Sequence, residues 1–291
     1  MKSGKRAFEA AVHGVFLVLG LITVGCVLLI TVYLIIAGIP AIREIGLIPF
    51  LFGKRWASTA AEPSFGILPF ILTSVYGTAG AMLLGVPVGF LTAVYLSKAA
   101  SPRVKAVLQG AVSLLAGIPS VVYGLVGMIV LVPLIRTTFS LGSGACLLAA
   151  ILVLSIMVLP SIINVSETAL RAVPREYEEA SLALGATATE TYFRVSLHAA
   201  RSGVATAVVL GVGRAIGEAM AIIMVAGNVA NMPGLFRSVR FLTTGIISGM
   251  SYAPVGSLYQ QALFSIGLVL FLFIMLINVF LNVFIKKRKE D

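Results

Sequence analysis

Two charged side chains stand inside an apolar run that is otherwise fit to cross a bilayer. The segment GVGRAIGEAMAIIMVAGN, residues 211–228, carries Arg214 and Glu218 four positions apart. On a helix that spacing puts both on one face, where they can pair. Each charge costs about 2.5–3.5 kcal/mol at mid-membrane on an insertion scale, so such residues face a cavity or a partner. Gly213 and Gly217 make a Gly-x3-Gly step that permits a close helix approach. The pair could be structural, locking two helices together. Alternatively Arg214 is an anion site on a translocation path. Its planar fork of donors matches phosphate or sulfate oxygens, and it stays protonated. Glu218 would then neutralise Arg214 while no anion is present.

A second polar interruption is AGIPSVVYG, residues 116–124. Gly, Pro and Ser inside one apolar span predict a kink or a break. A broken helix exposes backbone N–H groups that can hold an anion, whereas a simple proline kink holds nothing. Ser120 and Tyr123 are the candidate lining groups.

These residues need helices to position them. The chain has 291 residues, 59% hydrophobic and 11% charged, with mean hydropathy +1.07. A soluble domain would carry about a quarter charged residues, so a membrane protein is expected. About 20 apolar residues span the bilayer core, and six candidates are found, near 11–37, 68–96, 107–133, 145–165, 203–227 and 259–285. The first follows Lys2, Lys5 and Arg6 like a signal peptide. Its apolar run is too long for one and no cleavage site follows, so an uncleaved helix is expected. Fourteen of the 21 Lys and Arg fall in the amino-terminal tail, the 97–106 loop, the 166–202 loop and the tail after 285. Basic loops stay in the cytoplasm, which puts both termini there. The organisation expected is 1–67 as tail, first helix and outer loop, 68–285 as the helical domain, and 286–291 as a basic tail.

The 166–202 loop holds PREYEEASLALGATATE, residues 174–190. Pro174 suits a first helical turn, and Glu176, Glu178 and Glu179 suit its positive dipole end. Gly185 stops the helix. Thr187 with Glu190 reads as a capping box opening a second one. Such a rigid knob at the cytoplasmic surface suggests docking into a partner rather than an idle linker.

Several functions are excluded. The basic residues are dispersed and no nucleic-acid-binding motif is present. Cys26 and Cys146 lie in apolar runs with no ligand neighbours. His13 and His198 stand alone, which leaves an intramembrane enzyme without a catalytic set. There is no phosphate loop, since Gly53-Lys54-Arg55 lacks the spacing and the hydroxyl. Gly211-x-Gly213-x-x-x-Gly217 has one residue too many for a dinucleotide fingerprint. No cofactor is expected on this chain, and ATP, if used, binds another polypeptide.

Residues 179–185, EASLALG, followed after nine residues by Val195-Ser196-Leu197, resemble the EAA loop of bacterial ABC-importer permeases. Ser181 replaces the second Ala of that pattern. His198 replaces its usual Pro, which lets the second helix run on. AGIPSVVYG and GRAIGEAMAIIMVAGN are similar to the high-affinity phosphate (Pst) importer permeases of the PstC kind. The resemblance covers roughly residues 66–285. It implies an all-α ABC importer type I permease fold with six transmembrane helices in the cytoplasmic membrane. It implies inorganic phosphate as cargo, with Arg214, Glu218, Ser120 and Tyr123 on its path. It implies that Glu178, Glu179, Ala180 and Gly185 couple to an ATPase. The partners implied are a PstA-like permease subunit, two PstB-like ATPase subunits and a PstS-like periplasmic phosphate-binding protein. Other oxyanions, sulfate or molybdate, share the Arg chemistry. A secondary transporter using the Arg–Glu pair as a gate would need no ATPase.

Overall fold

The computed structural model describes residues 2–290, with side chains placed at Glu9 and from 12 to 280. The basic side chains expected in the two tails, at 2–6 and 286–291, lie outside those described. Six helices are long and apolar enough to cross a membrane: Val12–Ile45, Leu68–Ala99, Ser120–Thr138, Leu147–Arg171, Ala188–Gly217 and Leu258–Phe280. The sequence spans near 11–37, 68–96, 145–165 and 259–285 reappear among them. The spans at 107–133 and 203–227 do not survive intact, because each is cut by a break in the backbone.

Helix α1 (Lys2–Ile45) leads to a short α2 (Leu47–Phe52) and a two-residue antiparallel pair, β1 (Trp56–Ala57) with β2 (Ser64–Phe65). Helix α3 (Leu68–Val94) continues through one wide π-helical turn to Ala99, and α4 (Pro102–Gly117) follows. Then come α5 (Ser120–Val126) and α6 (Val132–Thr138), joined by a second π turn, and α7 (Leu147–Arg171). The charged loop supplies α8 (Arg175–Ala183) and α9 (Ala188–Glu190), which runs through a third π turn into α10 (Leu197–Gly217). Short α11 (Met220–Val225) and α12 (Leu242–Met250) precede α13 (Leu258–Glu290).

Helix α7 is the centre of the packing, with α3, α10 and α4 laid against it. Its buried stripe includes Leu147, Ile151, Leu154, Val158 and Ile162, spaced by threes and fours as one helix face requires. Helix α3 answers with small residues. A Cβ at Gly85 would lie 2.7 Å from Val158 and 3.2 Å from the Ser155 carbonyl oxygen, and one at Gly89 would lie 2.9 Å from Ile162. Small residues let helix backbones approach closely in a bilayer, where van der Waals packing takes the place of a hydrophobic driving force. Helix α1 rests on α13, where Ser265 donates to the Gly38 carbonyl at 2.6 Å. The most apolar window of α1 is entirely unburied, as a lipid-facing helix would be.

At the end opposite the charged loop, residues 226–241 are stitched to the start of α7. Leu147 and Leu148 donate their N–H groups to the carbonyls of Arg237 and Leu235, satisfying two of the free donors at the α7 N-terminus. Ser238 donates to the Ala145 carbonyl at 2.6 Å.

Gly85→Leu tests the α3–α7 seam. Overpacking of this kind costs about 1–3 kcal/mol, so detergent-solubilised protein should melt at a lower temperature. Gly110→Ala, where an added Cβ meets nothing within 4 Å, should leave the melting temperature at or above wild type. Equal melting of the two variants would refute the close approach.

Candidate functional site

The two polar interruptions become two complete breaks. In the first, Pro119 forces its predecessor out of the helical region. Ile118 and Pro119 are extended (φ −71°, ψ 126° and φ −59°, ψ 142°), so α4 ends at Gly117 and α5 starts at Ser120. The expectation of one crossing over 107–133 is corrected accordingly. Val112, before the break, packs with Ile163 of α7. Gly127, after it, faces Val153 of α7. The break therefore sits level with the middle of α7. Across it the Tyr123 hydroxyl donates to the Leu115 carbonyl at 2.7 Å.

In the second break, α10 stops at Gly217. Glu218 is extended (φ −72°, ψ 136°) and α11 begins at Met220. This corrects the sequence reading in which Arg214 and Glu218 share one helix face and pair. A single helix does not contain both, and no ion pair joins them among the described residues. The Glu218 carboxylate instead accepts the Ala221 N–H at 3.0 Å, and its backbone carbonyl accepts the Thr243 hydroxyl at 2.7 Å. The Gly-x3-Gly step also plays no packing part here. A Cβ at Gly213 or Gly217 would meet nothing within 4 Å among the described residues, so no described helix of this chain is pressed against either.

The two half-helices beyond the breaks pack on each other. A Cβ at Gly124 of α5 would lie 2.8 Å from the Ala221 Cα of α11, and one at Gly127 would lie 2.8 Å from Val225. Arg214 sits beside this junction, in the last turn of α10, where the negative end of the helix dipole favours a cation. It is exposed in the isolated chain. Its Nη1 donates to the Ser161 hydroxyl on α7 at 3.4 Å. Of the four sequence candidates, Arg214 closes α10 just before the second break and Tyr123 bridges the first. Glu218 belongs to the second break, turned to the start of α11. Ser120 is the first residue of α5, half-buried.

The charged loop folds much as its residues dictate. Pro174 precedes α8, and Gly185 takes φ +89° after it, a conformation open to glycine. Thr187 and Glu190 form the capping box, with Glu190 N–H donating to the Thr187 hydroxyl and Thr187 N–H to the Glu190 carboxylate at 3.0 Å. The helix then runs unbroken past His198 to Gly217, which is the consequence expected of losing a proline there.

The acidic residues of α8 face different ways. Glu179, Ala180 and Gly185 are exposed, together with Tyr177 and Leu184, the latter 90% exposed. Tyr177, Ala180 and Leu184 share one face at helical spacing. Glu178 points inward. It forms an ion pair with Lys98 and accepts the Ser196 hydroxyl at 2.7 Å, while the Tyr192 hydroxyl donates to the Lys98 carbonyl at 3.2 Å. Partial burial alone would raise the Glu178 pKa. The hydrogen bonds from Lys98 and Ser196, with the Lys98 charge, outweigh it and hold the carboxyl below its ordinary value. A second buried carboxylate, Glu167 of α7, takes Gln109 of α4 at 2.9 Å, Lys105 at 3.7 Å and an ion pair from Arg171. Sequence reasoning missed Lys98, Gln109, Ser161, Glu167 and Thr243. Only Glu167 left a local trace, an acidic residue four before Arg171 near the end of an apolar run.

Over residues 85–290 the chain matches the family described as binding-protein-dependent transport system inner membrane component, and it belongs to that family of multi-pass inner-membrane ABC permeases. Among its relatives, a probable ABC transporter permease protein of Bacillus subtilis, YqgH, is 41% identical, covering 89% of this chain and 86% of that one. The phosphate transport system permease protein PstC of Mesorhizobium japonicum is 32% identical over 78% of this chain and 75% of its own length. The PstC of Haemophilus influenzae is 32% identical over 83% and 82%. A solved structure of the MetNI methionine ABC transporter, inward facing, superposes with TM-score 0.56 at 20% identity, covering 76% of this chain and 94% of that one. This likeness bears on the fold alone.

The inward clasp of α8 has a measurable signature. Lys98→Gln or Glu178→Gln should speed proteolysis of the 174–190 loop severalfold at neutral pH. Because the folded-state pKa of Glu178 is lowered, the clasp is complete above the ordinary glutamate value of about 4.3 and lost as pH falls through the lower folded value. Wild-type and Glu178→Gln loops should therefore cleave alike under sufficiently acidic conditions with an acid-active protease. Identical cleavage at neutral pH would mean that the pair does not hold α8.

Proposed function

We propose that this chain is the permease subunit of an ATP-driven importer that carries inorganic phosphate across the cytoplasmic membrane. The observation that carries the reading is Arg214, a guanidinium beside two mid-membrane breaks with no carboxylate paired to it among the described residues. A permanently protonated fork suits an oxyanion, and an unpaired cation at that depth calls for a partner. The PstC names of several relatives favour phosphate. Tyr123 and Ser161 hold the local geometry, while Glu218 secures the backbone turn rather than neutralising the arginine. Ser120, opening α5, lines the same break.

On this reading both termini and the 166–202 loop are cytoplasmic. The exposed face of α8, with Tyr177, Glu179, Ala180 and Leu184 before the Gly185 turn, docks into an ATPase subunit that binds the ATP. Glu178 acts from within, tying α8 to Lys98. A PstA-like subunit completes the membrane pair, two PstB-like subunits supply hydrolysis, and a PstS-like protein delivers phosphate.

In the reconstituted complex, phosphate should stimulate ATP hydrolysis and sulfate should not. Stimulation by sulfate alone would replace the cargo and keep the permease. Arg214→Gln should abolish uptake while the complex still assembles, and uptake at the wild-type rate would remove Arg214 from the path. Glu218→Gln keeps an oxygen acceptor for the Ala221 N–H, so it should retain most uptake, unlike Glu218→Ala.

A further inference from the structure

A second arginine lies beyond the second break, in the segment stitched to the start of α7, at the end of α7 opposite the charged loop. Arg240 lies between α11 and α12 and is partly buried. Its Nε donates to the backbone and side-chain oxygens of Asn228, both at 3.0 Å, and its Nη2 donates to the Asn228 carbonyl at 2.7 Å. The guanidinium carbon lies 5.7 Å from the centre of the Phe70 ring. Among the described residues no carboxylate pairs with it. Buried charges are ordinarily paired, and burial lowers the pKa of this guanidinium. Asn228 holds the side chain from a left-handed backbone position, φ +53°, which is uncommon for a residue other than glycine.

Arg240 opens onto a cavity of about 620 Å³. Its wall includes Ser58, Thr59, Ser248, Tyr252 and Tyr259 and contains no Asp or Glu; of these, Ser248 already donates its hydroxyl to the Thr244 carbonyl. The Nη1 donors of Arg240 make no hydrogen bond among the described residues. A preset cation, free guanidinium donors and several hydroxyls in a cavity free of carboxylates make a receptor for a small oxyanion. Trp56, the only tryptophan of the chain, forms part of the wall and touches Phe70, its ring centroid 5.4 Å away.

We propose that this cavity is a second oxyanion site, with Arg240 as its charged anchor, distinct from Arg214 and placed where cargo first meets the chain. The role as a waypoint rests on the reading of the protein as an anion permease. The binding itself does not.

Trp56 provides the readout. The full chain, purified in detergent micelles, is titrated with inorganic phosphate, sulfate and chloride while tryptophan emission is followed. Phosphate should give a saturable change that chloride does not. Loss of a charge-assisted contact is worth about a tenfold change in affinity or more, so Arg240→Gln should shift the titration by at least that factor. Arg214→Gln should leave it unchanged. Because Arg240 also staples Asn228, two milder variants guard against misfolding. Arg240→Lys keeps the charge and should bind more weakly than wild type but more tightly than Arg240→Gln. Tyr252→Phe, at a largely exposed side chain, should weaken binding severalfold with the emission of the free protein intact. Saturation by sulfate but not phosphate would keep the site and overturn the phosphate reading of the permease. No response to either oxyanion, or a response lost in Arg214→Gln and kept in Arg240→Gln, would overturn the site and leave the Arg214 path standing. Unchanged binding in both Arg240→Lys and Tyr252→Phe would also overturn it.

Discussion

Inside a bilayer every backbone N–H and C=O must find a partner within the protein, because lipid offers none. This chain breaks two helices at that depth, and the rest of the architecture follows from how the freed groups are satisfied. At the first break the Tyr123 hydroxyl takes the Leu115 carbonyl. At the second, the Glu218 carboxylate takes the Ala221 N–H and Thr243 takes the Glu218 carbonyl. The half-helices beyond the breaks then lie in contact, because Gly124 and Gly127 bring α5 close to Ala221 and Val225 of α11. Arg214 is held at the edge of that junction. Its position depends on two interruptions in distant parts of the sequence closing on one another.

The same accounting explains the charged end. Glu178 and Glu167 are carboxylates withdrawn from water, and each is met by cations and neutral donors. Lys98 and Lys105 stand on either side of the turn between α3 and α4, so both carboxylates tie their elements to that turn. Helix α4 ends at the first break. The Glu178–Lys98 pair therefore links α8 to the turn that opens α4. One π-helical turn, at Tyr95–Ala99, carries Lys98, and another, at Thr191–Ser196, carries the Ser196 that donates to Glu178; such local departures from regular hydrogen bonding concentrate at functional sites.

The sequence was legible wherever the governing interactions are local. Six apolar crossings follow from composition and length. The α8–α9 loop follows from Pro174, Gly185, Thr187 and Glu190, each acting within four residues of itself, and the structure reproduces each stop and start. The glycine and proline signals at 116–119 marked the first break for the same reason. The second break was misread because Arg214 and Glu218 carry ideal helical spacing, and nothing local forbids the pair. Gly217 alone is a weak terminator. The deciding partner is Thr243, which lies 25 residues away.

The amino-acid sequence by itself determined the membrane class, the loop that stands out at one end, and the presence of an arginine within an apolar run that calls for a cavity or a partner. These rest on hydropathy and short-range backbone preferences, which need no tertiary context. Only the tertiary structure decided what each charge faces. It turned Glu178 inward to Lys98, gave Glu218 to a backbone turn, left Arg214 without a carboxylate among the described residues, and set Arg240 beside a cavity whose wall includes Ser, Thr and Tyr side chains. A side chain's partner is fixed by which distant helices arrive beside it, and spacing along the chain carries no record of that arrival.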